Sequence, residues 1–342
     1  MFIIFPLLPL LPSAHWSIRF FDFVRVQTAI IQLLLITTSF IIWNTFDYQY
    51  IITIALFLVL AYQIWLILPY TPLYPEYKPK QKLHQDQLTI ITANVLQTNQ
   101  NFDRFIDLIK KESPDIFITM ESNEIWDQTI SKSLSDYTYI VKATLDNFYG
   151  MHLYSKLPLE TGVVKYLVEK DIPSIHCEIQ YASQRFNLIA IHPAPPSPTE
   201  NETSKERDAE LMLVGKICRQ SVEATLVCGD LNDVVWSKNS RLFIKMTGYK
   251  NPRVGRGLFS SFHTKYPLFR FPLDHLFYSK DLYVSEIRRL PHFGSDHFAM
   301  YYKIAFPLID IDLSHPIITE EDREEIKEII EEGHASAKES EE

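Results

Sequence analysis

The chain has 342 residues, of which 46% are hydrophobic and 22% charged, ordinary values for a globular protein; they exclude a wholly disordered chain and a mini-protein dependent on staples. Charge is spread unevenly, with five bases against three acids over residues 1–83, 25 against 28 over 84–313, and three against eleven over 314–342. A slightly acidic middle excludes a generic polyanion binder, whose affinity rests on neutralising phosphates, and Cys177, Cys218 and Cys228 show no C-x-x-C spacing that would suggest a zinc ribbon or a disulfide framework.

Residues 1–25 open with MFIIFPLLPLLP, apolar but broken by prolines, and are expected to form an interfacial or partial membrane segment. Two uncharged stretches follow, 26–43 and 50–69, each long enough to cross a hydrocarbon core of about 30 Å. They predict a transmembrane helical hairpin over 26–70, with Trp43, Tyr48, Tyr50, Trp65 and Tyr70 near its ends, where aromatic rings favour the interface. Arg19 and Arg25 precede the pair, Lys78, Lys80 and Lys82 follow it, and 44–49 holds no base. The positive-inside rule therefore predicts an integral protein of a bacterial-type cytoplasmic membrane, with both flanks in the cytoplasm. Residues 71–87, with Pro72, Pro75 and Pro79, read as a stiff tether.

From Leu88 the pattern becomes α/β. LTIITANV (88–95) reads as a strand, Phe102, Phe105, Ile106 and Ile109 share a helical face, and DIFITM (115–120) is a second strand. A βαβ crossover makes the two strands parallel and puts Asn94 and Glu121 together at their carboxyl ends, the edge where α/β sheets hold ligands. The arrangement recurs: the strand 186–191 ends in His192 and PAPPSP, residues 203–221 read as a helix, and the strand 224–228 ends in GDLN with Asp230 and Asn232. Asp274 opens LDHLFYS, and Asp296 and His297 stand in GSDH before a last apolar run. Each residue alone has a structural explanation as a turn, rim or packed group. Two amides, four carboxylates and two histidines at the ends of separate strands ask for a common one. Carboxylate and amide oxygens are the hard ligand set for Mg²⁺ or Mn²⁺, and histidine beside such an ion suits acid-base work on a phosphate.

These motifs, TANV, PDIFITMES, IAIHPAPP, VCGDLND and LDHLF with GSDH, closely resemble in order those of the endonuclease/exonuclease/phosphatase superfamily. The resemblance covers about 88–305 and implies a domain over 88–313 with a four-layer α/β sandwich, here preceded by transmembrane helices, in a membrane-anchored, bacterial-type member. It also implies that Asn94, Glu121 and Asp296 hold Mg²⁺ or Mn²⁺, that Asp230 and Asn232 orient the attacking water, that His297 paired to Asp274 contacts the phosphate, and that His192 is a second phosphate contact or acid. Leu96 stands where some nuclease members carry an acid. The expected activity is hydrolysis of a phosphodiester, phosphomonoester or pyrophosphate, with a lipid-linked substrate favoured over nucleic acid because a membrane tether presents headgroups to the site. A tethered nuclease and an inactive membrane scaffold are the alternatives.

Between Val234 and Leu273 there are eight bases (Lys238, Arg241, Lys245, Lys250, Arg253, Arg256, Lys265 and Arg270) and no acid, either a phosphate-facing rim or a surface balanced by acids elsewhere. Residues 314–342 predict an acidic helix with Ile326, Ile329 and Ile330 on one side, ending near Gly333 and solvated rather than docked.

Overall fold

Runs of β-branched and aromatic residues form strands, and apolar residues at helical spacing form helix faces, in the computed structural model of the chain, which describes residues 1–42, 47–79, 82–182, 184–307 and 315–341. Two compact units separate by their internal contacts. One contains Met1–Tyr77 with the loops Pro196–Ser204 and Arg253–Leu258; the other contains Lys78–Pro195, Lys205–Pro252 and Phe259–Glu342.

The first unit is helical, with α1 at Trp16–Phe23, α2 at Arg25–Ile41 and α3 at Gln49–Ile67. Among the described residues, Gln49–Tyr70 is the one continuous helical stretch long and apolar enough to cross a membrane, 22 residues at a mean hydropathy of 2.5. The other expected span differs from the sequence expectation: α2 has 17 residues and meets α1 at a 65° bend, so the two meet the same test only together. At the bend Arg25 is buried, paired with Asp22 at 2.5 Å and donating to the Pro6 carbonyl. Arg25 is therefore not the free flanking cation that the orientation argument used. Trp43–Phe46 and Lys80, on which that argument also drew, lie outside the described residues.

Polar side chains of α2 and α3 face each other. Gln63 donates to Gln32 at 2.6 Å, Thr28 donates to Gln63 at 2.7 Å, and Gln32 donates to the Phe2 carbonyl. Ile30, Leu33, Leu34, Phe40, Ile54, Phe57, Leu58 and Trp65 are exposed. The expected tether divides: its first part, to Tyr77, is fastened within this unit, since Glu76 pairs with Arg256 at 2.7 Å and Gly255 donates to the Pro69 carbonyl, and its last residues, from Leu83, are strand.

The second unit holds two sheets. Its elements in chain order are β1 (Leu83–Asn94), α4 (Phe102–Glu112), β2 (Ile116–Met120), α5 (Glu124–Ser133), β3 (Tyr139–Ala143), β4 (Met151–Ser155), β5 (Leu159–Lys165), β6 (Ser174–Tyr181), β7 (Gln184–Ile191), α6 (Lys205–Gln220), β8 (Ala224–Asp230), α7 (Lys238–Thr247), β9 (Asp274–Tyr278), β10 (Tyr283–Arg289), β11 (Met300–Pro307) and α8 (Glu320–Glu341). The six-stranded sheet runs β10-β11-β1-β2-β4-β3 and the five-stranded sheet β5-β6-β7-β8-β9. β1 is parallel to β2 and β7 to β8, as their crossover helices require, and the other pairs are antiparallel. β1 begins five residues earlier than its apolar run because Leu83 already pairs with Pro307 of β11.

Ile90, Ile118 and Met120 of one sheet meet Ile175, Leu188 and Leu226 of the other in a shared core. On the outer faces, Phe105, Ile109 and Trp126 of α4 and α5 cover Ile91 and Phe117, and Met212, Phe243 and Ile326 of α6, α7 and α8 cover Ile189, Val227 and Phe277. The result is four layers, helices outside two facing sheets.

The acidic tail departs from its expectation. α8 does not end at Gly333 but continues to Glu341, and it is docked, with Ile326 and Ile330 buried. A Cβ at Gly333 would lie 2.2 Å from the Ala209 Cβ and 2.7 Å from the Lys205 carbonyl oxygen, so this glycine lets α6 and α8 approach closely rather than stopping the helix. Lys238 pairs with Glu325, and Lys245 with Asp322 at 2.7 Å, so these two bases of α7 neutralise the tail instead of facing a substrate. Ser314 and the adjoining tail boundary lie outside the described residues.

Candidate active site

The candidate site is assembled from strand ends. β1 delivers Asn94, the turn after β2 delivers Glu121, β7 leads into His192, β8 ends in Asp230 with Asn232 following, β9 opens with Asp274, and the turn before β11 carries Asp296 and His297. The structure brings all eight expected residues together, and most are buried. Leu96, Glu121 and Asn232 adopt left-handed backbone conformations, with φ of 57°, 55° and 50°, which turn the chain sharply at the sheet edge; such conformations cost about 1–3 kcal/mol and cluster at functional sites. Gly229 is required by close approach, because a Cβ there would lie 1.9 Å from the Ile191 carbonyl oxygen. That contact keeps the ends of β7 and β8, and so His192 and Asp230, in register.

Asn94 is the hub. Its Nδ2 donates to Glu121 Oε1 at 2.7 Å and to Asp230 Oδ2 at 3.2 Å, while its Oδ1 accepts from the Leu96 amide. Asp230 Oδ1 accepts from the Asn232 amide at 3.0 Å, and Asn232 Nδ2 donates to the Pro193 carbonyl. His297 lies between two carboxylates, with Nδ1 at 2.9 Å from Asp274 Oδ2 and Nε2 at 3.4 Å from Asp230 Oδ2.

These environments set the charges. Burial pushes the Glu121 carboxyl up to about 7; the hydrogen bond from Asn94 and the nearby His297 oppose this, while Asp296 and Asp230 add to it. Burial also raises Asp230, against the pull of His297. For His297 burial disfavours the charge, but Asp230, Asp274 and the hydrogen bond to Asp274 outweigh it and the pKa rises, so the ring is an imidazolium at neutral pH. His192 is the opposite case: complete burial, reinforced by His297, pushes it down to about 3. It is a neutral imidazole beside the Tyr149 ring at 5.4 Å.

The oxygen-rich donor set fits a hard divalent cation. Glu121 and Asp230 both accept from the Asn94 amide, Asp296 lies near enough to add to the rise of the Glu121 pKa, and that raised pKa marks a carboxylate that a cation would relieve. Asp230, Asp274 and His297 also lie close enough to ligate an ion, with all their donor atoms within 4.8 Å of one another. A protonated His297 hydrogen-bonded to Asp274 would oppose a cation at that cluster.

Several positioning residues carried no separate signal in the sequence. Ser295, inside the GSDH motif, donates to the Asn94 carbonyl at 2.8 Å and accepts from the His297 amide, tying β1 to the histidine turn. Ser261 accepts from the Asp274 amide. Buried Arg207 of α6 donates to the Asn232 carbonyl at 2.6 Å and pairs with Asp208, bracing the GDLND turn. Phe262 packs on His297 with ring centroids 4.8 Å apart. A buried arginine on a helix and an aromatic eleven residues before LDHLF are recognisable only once the chain is folded.

Residues 91–297 match the sequence model of the Endonuclease/Exonuclease/phosphatase family. A comparison with curated protein sequences returned no match. Among solved structures, the chain is similar to an endonuclease/exonuclease/phosphatase family protein from Bacteroides thetaiotaomicron, with a TM-score of 0.56 and 16% identity over 68% of this chain and 100% of that one. It is also similar to humanized D. rerio TDP2, with a TM-score of 0.54 and 16% identity over 64% and 98%, and to the human Nocturnin catalytic domain with bound sulfate anion, with 0.52 and 13% over 66% and 98%.

Proposed function

Since the chain belongs to the endonuclease/exonuclease/phosphatase family and is thus a hydrolase of that class, we propose that it is a membrane-anchored, divalent-metal-dependent phosphoesterase whose preferred substrate is a lipid-linked phosphate or pyrophosphate. The observation that carries the hydrolytic reading is the meeting of Asn94, Glu121, Asp230, Asp274 and His297 within one hydrogen-bonded cluster. Glu121, with Asn94 and Asp296, would hold Mg²⁺ or Mn²⁺. When bound, such an ion supplies charge neutralisation at the phosphoryl oxygens.

The chain's own groups supply the rest. Asp274 keeps the His297 Nδ1 proton in place, which aims Nε2–H toward Asp230 and the space before it, where it can donate to a phosphoryl oxygen as charge grows there. Asp230, raised toward neutrality by burial, is suited to accept a proton from an attacking water, and the Asn232 amide holds its other oxygen. His192, neutral, offers a hydrogen bond without adding charge.

Support for the membrane part is the inverted polarity of the helical unit: glutamines and threonines of α2 and α3 hydrogen-bond inward while large aliphatic and aromatic residues face out, the pattern favoured in lipid. An anchored enzyme meets headgroups at high effective concentration. The test is a panel for the full-length protein in detergent with Mg²⁺ or Mn²⁺: supercoiled and abasic DNA, single-stranded RNA, inositol phosphates, sphingomyelin and polyprenyl pyrophosphate. Release from a lipid substrate that stops with chelator supports the reading. DNA nicking at physiological salt with no release from any lipid overturns it in favour of a tethered nuclease.

A further inference from the structure

Of the eight bases between Val234 and Leu273, Lys238, Lys245 and Arg256 are paired with carboxylates, whereas Lys265 and Arg270 are not paired with a carboxylate among the described residues. Both belong to the loop from Ser261 to Phe271, whose two sides bond to each other: Ser261 donates to the Phe271 carbonyl and His263 to the Phe269 carbonyl. Arg270 braces it from within, donating to the carbonyls of His263 and Thr264. Its root is fixed to the reaction centre, for the Thr264 amide donates to the Asp296 carbonyl at 2.8 Å and Phe262 lies on His297.

The tip is the opposite of what water favours. Tyr266 is 49% exposed, Leu268 78% and Phe269 55%, next to one another around Pro267. A cationic collar surrounds it: Lys265 lies over the Tyr266 ring, and Arg270 and Arg289 both lie over Phe298, at 5.1 and 4.5 Å from the ring centroid. Arg289 likewise has no carboxylate partner among the described residues, and donates to the Ser260 carbonyl. Two guanidinium groups sharing one aromatic ring without an acid between them form a seat for an anion.

We propose that this loop is a bilayer-docking element: Tyr266, Leu268 and Phe269 enter the headgroup and acyl boundary of an anionic membrane, and Lys265, Arg270 and Arg289 contact lipid phosphates beside the reaction centre. The combination of apolar tip and basic collar is the chemistry of interfacial binding. Leu268, the most exposed of the three, has no π-face on which a base could stack, and residues 84–313 carry 25 bases against 28 acids, without the net positive charge that duplex binding favours, so a bilayer fits the tip better than a nucleic acid. The inference rests on the lipid-phosphate reading for its substrate but not for its test.

The test places an environment-sensitive fluorophore on Leu268→Cys in the full-length protein, held in nanodiscs of phosphatidylcholine and phosphatidylglycerol. Labelling is confined to that position because Cys177, Cys218 and Cys228 are buried and burial pushes their thiols up to about 12. Val222→Cys is the control, 80% exposed and at the end of β8 opposite Asp230. Phe269→Cys repeats the measurement should the first variant fold poorly.

Spin-labelled lipid is expected to quench the tip about threefold or more relative to the control, with a blue-shifted emission. Equal quenching at tip and control, or a blue shift produced by single-stranded DNA in detergent and not by lipid, overturns the proposal. Release of phosphate from a lipid substrate is read in the same nanodiscs. Release with an unquenched tip sinks the docking loop and leaves the lipid phosphoesterase standing; a quenched tip without release does the reverse.

Discussion

Replacing Glu121 by glutamine should have two opposite effects in one experiment. Without metal, the carboxyl of Glu121 has a pKa near 7 against an ordinary 4.5, because burial and the neighbouring Asp296 and Asp230 disfavour its charge. A raised carboxyl pKa means that the native state keeps a proton which the unfolded chain releases, so this group's contribution is most favourable below about pH 4.5 and is lost as pH rises to about 7. At pH 8 that lost stability amounts to about 3 kcal/mol. Glu121→Gln removes it while keeping a side chain of the same size beside Asn94, so the metal-free variant should melt several degrees above the wild type at pH 8.

With Mn²⁺ at about one hundred times its Kd, the wild type should gain about 2.7 kcal/mol, or roughly 5–11 °C in Tm for a domain of this size. The variant, which has lost a charged ligand, should shift by less than about 2 °C at the same Mn²⁺ concentration. Thermal unfolding of the full-length protein in detergent, with chelator and then with Mn²⁺, reads both numbers. A metal-free variant less stable than the wild type and a Mn²⁺ shift equal to it would together refute both the buried carboxylate and the metal seat.

Further outcomes follow from other parts of the molecule. Asp274→Asn and His297→Ala should each lower the hydrolysis of a generic phosphodiester by about two orders of magnitude at a temperature where circular dichroism shows the variant folded, and a loss below threefold for both would show the centre to lie elsewhere. Glu210 of α6 is pushed up to about 8 by burial and by Glu169, so stability should fall from about pH 4.5 to about pH 8, by at most about 5 kcal/mol, and Glu210→Gln should flatten that slope in urea titrations; an unchanged slope rejects the assignment. Gly333→Leu should force α8 off α6 at a cost of about 1–3 kcal/mol, seen as an earlier melting transition, and an unaltered Tm would mean that the close helix contact is absent. With the positive-inside orientation, protease should digest the catalytic domain in inverted vesicles and spare it in intact cells, and the reverse pattern would place it on the outer face.

The apolar runs around Asn94, Glu121, Asp230 and His297 were legible as strands because short, continuous runs rich in β-branched and aromatic residues mark a buried strand locally, and the βαβ rule then brought Asn94 and Glu121 to one edge without any coordinates. The order of the five motifs likewise identified the chemistry, since residue types and their spacing are properties of the chain itself. Charge was not legible in this way. His192 and His297 look alike in sequence, yet one is neutral and the other an imidazolium, because pKa is set by burial and by which carboxylates the fold places within reach. The basic stretch after Val234 kept two readings in the sequence for the same reason. Half of a charge balance can lie far away in sequence, and the partners of Lys238 and Lys245, Glu325 and Asp322, are brought to them by the packing of α8. Gly333, read along the chain as a helix stop, is a contact point between helices, since a glycine's missing Cβ is used wherever backbones must approach, and only tertiary structure says whether a second backbone is there.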